Sequence, residues 1–193
     1  MGGRDGGGSS TAAAALDHVV IIGNEIRRLD QVVQGFLKFM RPEDLQLQAV
    51  PVQALLQEIA QIVAPDAASN AVKVVVECPA SMPDIHGDPA SLRQALLNLA
   101  INACQAMPGG GTLRLTATQL SGARIAVAVD DTGTGIAPEH LAKIFDLYFT
   151  TKPGGSGIGL SMVFRTVQLH DGDIEVQSMP GTGTVFRLLL PRA

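Results

Sequence analysis

The segment Val127-Ala128-Val129-Asp130-Asp131-Thr132-Gly133-Thr134-Gly135-Ile136 reads as a buried strand that runs directly into a turn containing two glycines. Val127 and Val129 alternate with small or polar neighbours, the period of two expected of a strand. Asp131 stands where that strand ends. Gly133 and Gly135 allow a positive φ, or a backbone approach too close for a Cβ. A carboxylate fixed beside such a turn can accept a charge-assisted hydrogen bond from an exocyclic amine such as that of adenine. The same turn can equally serve as a simple strand cap.

Two flanking segments bear on that choice. Upstream, Asp88-Pro89 is a strong helix start, with Asp at the N-cap and Pro in the first turn. The helix is expected to reach about Met107, before Pro108 and the Gly109-Gly110-Gly111 turn. Leu92, Leu96, Leu99 and Ala103 face inward, and Asn98 and Asn102, one helical turn apart, share the neighbouring face. Such amides can point at a metal and phosphates, or can be ordinary solvated helix residues. Downstream, Pro138-Glu139 opens a short helix carrying Ile144 and Phe145. Thr150-Thr151-Lys152-Pro153-Gly154-Gly155-Ser156 is polar and glycine-rich, hence expected to be mobile, and Lys152 is its one cation. Gly155-Ser156-Gly157-Ile158-Gly159-Leu160 then opens the last long helix, whose free N–H groups offer an anion site without a P-loop sequence.

These pieces, in this order and spacing, resemble the ATP-binding domain of the sensor histidine kinases, related to the gyrase-, MutL- and heat-shock-chaperone-type ATP folds. The resemblance runs from about residue 45 to 191. It implies bound ATP and Mg²⁺, with Asn102 as the metal ligand. It also implies nucleotide contacts from Asn98, Asn102, Asp131, Gly133, Gly135, Ile136, Phe145, Phe149, Thr151, Lys152, Gly155, Gly157, Ile158, Gly159, Leu160 and Thr184. Phe145 and Phe149 match the phenylalanine box that packs the ATP lid, Lys152 is the candidate for the terminal phosphate, and Thr184 falls near the adenine end. ATP-hydrolysing relatives and the anti-sigma-factor serine kinases usually place a Glu general base four residues before the metal-binding Asn. Asn98 occupies that position here and cannot take a proton. It favours phosphoryl transfer to histidine over a stand-alone ATPase or a serine kinase of the same fold. A nucleotide-sensing module without turnover is the non-enzyme alternative.

The chain has 193 residues with a formal net charge of −4, one Tyr and no Trp. That suits one domain plus an appendage, with a core of Leu, Ile, Val and Ala. The acidic balance argues against a nucleic-acid binder. Cys78 and Cys104 make no disulfide framework or metal spacing and read as small buried residues in a reducing compartment. No apolar run approaches the roughly 20 residues that span a bilayer. The chain is therefore expected to be soluble and cytoplasmic, whatever membrane attachment a longer parent has.

Residues 1–10 are Gly/Ser-rich and read as a disordered tail. The next segment is taken as 11–44. Helix signals run from about Thr11 to Arg41, where Pro42 stops them, and Leu16, Val19, Ile22, Gly23, Ile26, Leu29, Val33, Phe36, Leu37 and Met40 form an apolar stripe that wants a partner helix. This segment resembles the second helix of the histidine-kinase dimerisation bundle. A homodimer through it is one expectation, and an amphipathic helix docked on its own domain the other. The resemblance implies a response regulator as partner, and a histidine-bearing dimerisation domain. The phosphoacceptor helix itself has no counterpart here, since His18 follows Asp17 and precedes Val19 instead of an acidic residue.

Residues 45–193 are assigned to the catalytic ATP-binding domain. Within them the sequence predicts a strand over 45–50, a helix over 51–63 with Pro51 at its start, and a strand over 72–77. His86 is read as a loop residue and His140 as exposed. Strands over 112–119 and 124–130 form an antiparallel pair. The last long helix ends near His170, with Gly172 at the C-cap and His170 structural, and strands over 174–178 and 185–190 follow. Strands and helices do not alternate regularly, so the expected fold is a two-layer α/β sandwich, not a doubly wound sheet.

Overall fold

The computed structural model describes Gly23, residues 45–152 and residues 155–193. The tail expected over 1–10, His18 and, apart from the helical Gly23, the helix expected over 11–44 lie outside the described residues. In chain order the elements are β1 Gln48–Val50, α1 Val52–Ser69, β2 Val72–Glu77, β3 Ile85–Gly87, α2 Pro89–Gln105, β4 Gly111–Gln119, β5 Arg124–Asp131, α3 Pro138–Leu141, α4 Gly159–Leu169, β6 Asp173–Met179 and β7 Gly183–Pro191.

Five strands form one sheet in the order β2-β4-β5-β7-β6, and β1 pairs with β3 in a separate two-stranded sheet. β2 and β4 are parallel and joined through α2, as a parallel pair requires a crossover. The remaining pairs of the large sheet are antiparallel. On β4, Leu113, Leu115 and Ala117 are buried while their neighbours are not, and on β7 Phe186, Leu188 and Leu190 do the same. That alternation turns one face of the sheet onto the helices, which bring Leu56, Ile59, Leu92, Leu96, Leu99, Val163 and Val167 to it. The expected two-layer sandwich is the observed one. Among the described residues no helix is long and apolar enough to cross a membrane.

Several boundaries differ from the sequence reading. The first strand begins at Gln48, and His86 lies in β3, exposed, not in a loop. α1 continues past its expected end at residue 63 to Ser69 with Pro65 inside it. Pro65 lacks an N–H, but the turn beyond it still buries Ala67. The Ser69 hydroxyl donates to the Pro65 carbonyl and the Asn70 amide to that of Asp66. α3 is only four residues long, so Ile144 and Phe145 fall in the turns after it. At the end of α4 the left-handed residue is Asp171 (φ 51°), not Gly172. Gly172 is needed for close packing instead, since a Cβ there would stand 2.8 Å from the Leu189 carbonyl oxygen. Both cysteines are free; burial raises their thiol pKa values, and Cys104 lies in the core.

One buried polar junction fixes the relation of α2 to α4. Asp88 caps α2 by accepting from the Ser91 N–H at 2.8 Å and also accepts from the Gln46 N–H at 3.1 Å. Burial alone would raise its pKa, but these bonds outweigh it and hold the carboxyl below its ordinary value. The Asp88 N–H donates to His170 Nε2 at 2.8 Å, so Nδ1 carries the imidazole proton and donates to the Thr166 carbonyl at 2.7 Å. His170 is thus structural, as expected, and buried. His170→Ala leaves two buried groups unpaired and opens a cavity. We expect it to lower unfolding free energy by about 2–4 kcal/mol in urea denaturation. A loss within about 0.5 kcal/mol, typical of a surface position, would show that the junction contributes nothing.

Candidate functional site

A cavity of about 440 Å³ opens between α2, the turn after β5, the segment from Ile144 to α4 and the inward face of β7. Its closed end is built by the two central strands. In the antiparallel register of β5 and β7, Asp131 stands directly opposite Thr184, and both are buried. Asp131 Oδ1 accepts from the Gly133 N–H at 2.9 Å. Burial raises the Asp131 pKa above its ordinary value, partly offset by hydrogen bonds from the Gly133 and Thr184 backbone and by the Lys152 charge.

The two glycines of the turn serve different needs. Gly135 has φ +69°, and a Cβ on it would lie 2.2 Å from the Met179 carbonyl oxygen. Gly133 is not left-handed; a Cβ there would meet the Ala106 carbonyl oxygen at 2.6 Å. The Thr134 N–H donates to Ala106 O at 3.0 Å, and the Gly181 N–H to Thr134 O at 2.8 Å. The turn is therefore clamped between the C-terminus of α2 and the β6–β7 hairpin.

At the open end, Lys152 Nζ donates to Asn102 Oδ1 at 2.9 Å and to Gln105 Oε1 at 2.7 Å. Burial lowers the Lys152 pKa, with Asp131 acting in the opposite direction. Asn98 Nδ2 donates to the Gly159 carbonyl at 3.4 Å, linking α2 to the first residue of α4. Among the described residues no cluster of three His, Cys, Asp or Glu side chains could hold a metal. A cation here would rest on amide oxygens, and Asn102 Oδ1 already accepts from the Lys152 ammonium.

Of the residues expected in the site, Asn98, Asn102, Asp131, Gly135, Ile136, Phe149, Thr151, Lys152, Gly155, Gly157, Gly159, Leu160 and Thr184 line this cavity. Gly133, Phe145 and Ile158 do not. Gly133 acts through its N–H on Asp131. Phe145, half-buried, packs on Phe164 and edge-on to Phe186, ring centroids 5.4 and 6.5 Å away, against the edge of the core. Ile158 is buried at the N-cap of α4. Phe149 faces the cavity with its ring 5.5 Å from that of His140. His140, expected to be exposed, is half-buried and lines the cavity too. Gln105 and Ser178 were missed. Ser178 Oγ accepts from the Ile136 N–H at 2.8 Å and lies 2.9 Å from Thr184 Oγ1. The signal for it was a lone hydroxyl at an inward register position of β6, after Ile174 and Val176.

Comparison with known proteins gives a concordant result. The family described as histidine kinase-, DNA gyrase B-, and HSP90-like ATPase matches residues 87–193. Sensor histidine kinase ZraS of Escherichia coli strain K12 is 40% identical over 171 residues, which cover 89% of this chain and 37% of that protein. Signal transduction histidine-protein kinase AtoS of the same strain is 37% identical over 175 residues, 91% of this chain and 29% of AtoS. The crystal structure of full-length ShkA in complex with AMPPNP has a TM-score of 0.79 at 29% identity, covering 99% of this chain and 40% of ShkA. The chain therefore spans only 37% of ZraS and 29% of AtoS. It belongs to the family of histidine kinase-, DNA gyrase B- and HSP90-like ATPases, and its ATP-binding domain is of the sensor histidine kinase type.

Proposed function

We propose that residues 45–193 bind Mg-ATP in this cavity and transfer the γ-phosphate to a histidine carried by a dimerisation domain in a two-component pathway. The observation that carries the reading is the pairing of a buried acceptor, Asp131, with Thr184 at one end and Lys152, Asn102 and the α4 N-terminus at the other. Asp131 would accept from the adenine amine. Asn102 would hold Mg²⁺, which supplies charge neutralisation between the phosphates when bound. Lys152 would meet the terminal phosphate, after releasing Asn102 and Gln105. The remaining cavity-lining residues named in the sequence reading would contact the nucleotide, with Phe149 on the lid side.

Asn98 supplies no proton acceptor, which favours transfer over hydrolysis. Residues 11–44 would be the second helix of a dimerisation bundle, with pairing through the 16–40 stripe, and a response regulator would be the downstream partner. The test is incubation with γ-labelled ATP and Mg²⁺, with and without a separate fragment bearing a phosphoacceptor histidine. We expect acid-labile label on the fragment's histidine, none on this chain alone, and slow hydrolysis. Failure to bind Mg-ATP in calorimetry would sink the reading.

Asn102→Ala separates the metal assignment from the fold. ATP affinity measured with Mg²⁺ should drop to the value measured in EDTA, with the unfolding transition unchanged. An unaltered Mg²⁺ dependence would remove Asn102 as the ligand.

A further inference from the structure

β6 turns Ile174, Val176 and Ser178 toward the interior, and only the last is polar. A serine hydroxyl has one proton and two lone pairs. The Ile136 N–H, 2.8 Å away, can only donate, so it takes one lone pair of Ser178 Oγ. The Gly183 carbonyl, 3.1 Å away, can only accept, so it takes the proton. What remains for Thr184 Oγ1, 2.9 Å away, is the second lone pair of Ser178. Thr184 must then donate its own proton to Ser178, and its free lone pairs are left facing the cavity.

We infer that Ser178 is a specificity-determining residue: it fixes the Thr184 hydroxyl as a hydrogen-bond acceptor beside Asp131, so that this wall selects a base bearing an amine over one bearing a carbonyl. Asp131, when ionised, is also acceptor-only. Two acceptors side by side repel the six-position carbonyl of guanine or hypoxanthine and welcome the six-position amine of adenine. Without Ser178 the Thr184 proton is free to turn into the cavity and meet a carbonyl. Ser178 does not line the cavity, so it acts through Thr184 and the Ile136 backbone and is a positioning residue for the base. The inference rests on the ATP-binding reading above.

The experiment compares ATP with inosine triphosphate, which differ at the six position, by calorimetry on the wild-type chain, Ser178→Ala, Ser178→Thr and Thr184→Val. The wild type should prefer ATP. Ser178→Ala should reduce that preference by about tenfold, partly because inosine triphosphate binds more tightly, and Ser178→Thr should restore it. Thr184→Val, which removes the acceptor while keeping the side-chain shape, should reduce the preference as well and serves as the readout if Ser178→Ala does not fold. Equal losses of both nucleotides in Ser178→Ala, or an unchanged preference in Thr184→Val, would overturn the inference while leaving ATP binding intact. A wild type that binds neither nucleotide would instead overturn the ATP-binding reading.

Discussion

Asp131→Asn is expected to weaken ATP binding by roughly ten- to a hundredfold, the value of a hydrogen bond to a charged acceptor. The substitution is nearly isosteric, but it exchanges an acceptor-only carboxylate for an amide that also presents two donors at the closed end of the cavity. The Gly133 N–H can still be satisfied by the amide oxygen, so the turn itself should persist and the unfolding transition should move little. The effect has a pH signature. Burial raises the Asp131 pKa in the folded chain, so the carboxylate is lost on acidification at a higher pH than that of an ordinary aspartate. Base recognition needs the charged form and should be kept above that raised pKa and lost below it. Stability runs the other way: the folded chain holds this proton more tightly than the unfolded chain. The contribution is present below the unfolded pKa and disappears as pH rises through the folded one. Because ATP itself titrates, the variant is the control at each pH, and the gap in affinity between the two proteins should narrow as pH falls. A constant gap, or an Asp131→Asn protein that binds ATP normally, would refute the assignment of Asp131 to the base.

Gly135→Ala should be more damaging to the fold. Its φ of +69° costs an L-residue about 1–2 kcal/mol, and its new Cβ would meet the carbonyl oxygen and carbon of Met179 at 2.2 and 2.7 Å. Those are backbone atoms and cannot rotate aside, so the β6–β7 turn must move and take Ser178 and Thr184 with it. We expect a loss above about 2 kcal/mol and abolished nucleotide binding. Gly122→Ala isolates the conformational part, because Gly122 has φ +76° but nothing within 4 Å of the added atom. Equal shifts in melting temperature for the two variants would mean that the hairpin yields to the clash at no cost.

What was legible in the sequence was local or periodic. The Asp88 cap, the two-glycine turn and the strand alternation each declare themselves within a few residues; it was the resemblance that joined Asp131, Asn98 and Asn102 in one site, and all three line one cavity. What escaped depends on how distant pieces face one another. Phe145 and Phe149 are equivalent in local pattern, yet Phe145 packs against the rings of Phe164 and Phe186 without lining the cavity, whereas Phe149 lines it. The grip of Lys152 on Asn102 and Gln105 joins α2 to a segment 47 or more residues further along the chain, and no motif encodes it. Ser178 acquires its role from the β6–β7 register. The continuation of α1 past Pro65 follows from burial of Ala67 and from side-chain bonds in the final turn, which outweigh the missing N–H.

The opposition of Asp131 and Thr184 also has a kinetic side. β4 and β5 adjoin in sequence, as do β6 and β7, and each can zip up as a local hairpin. β5 and β7, by contrast, pair across α3, α4 and β6, the widest sequence separation of any pair in the large sheet. Loop-closure entropy makes such a pairing slow relative to the hairpins. The closed end of the cavity is thus expected to form late in folding, when two preformed hairpins join. Nucleotide added during refolding would then be captured only by chains that have completed this step, and would hold them there by mass action without accelerating the steps before it.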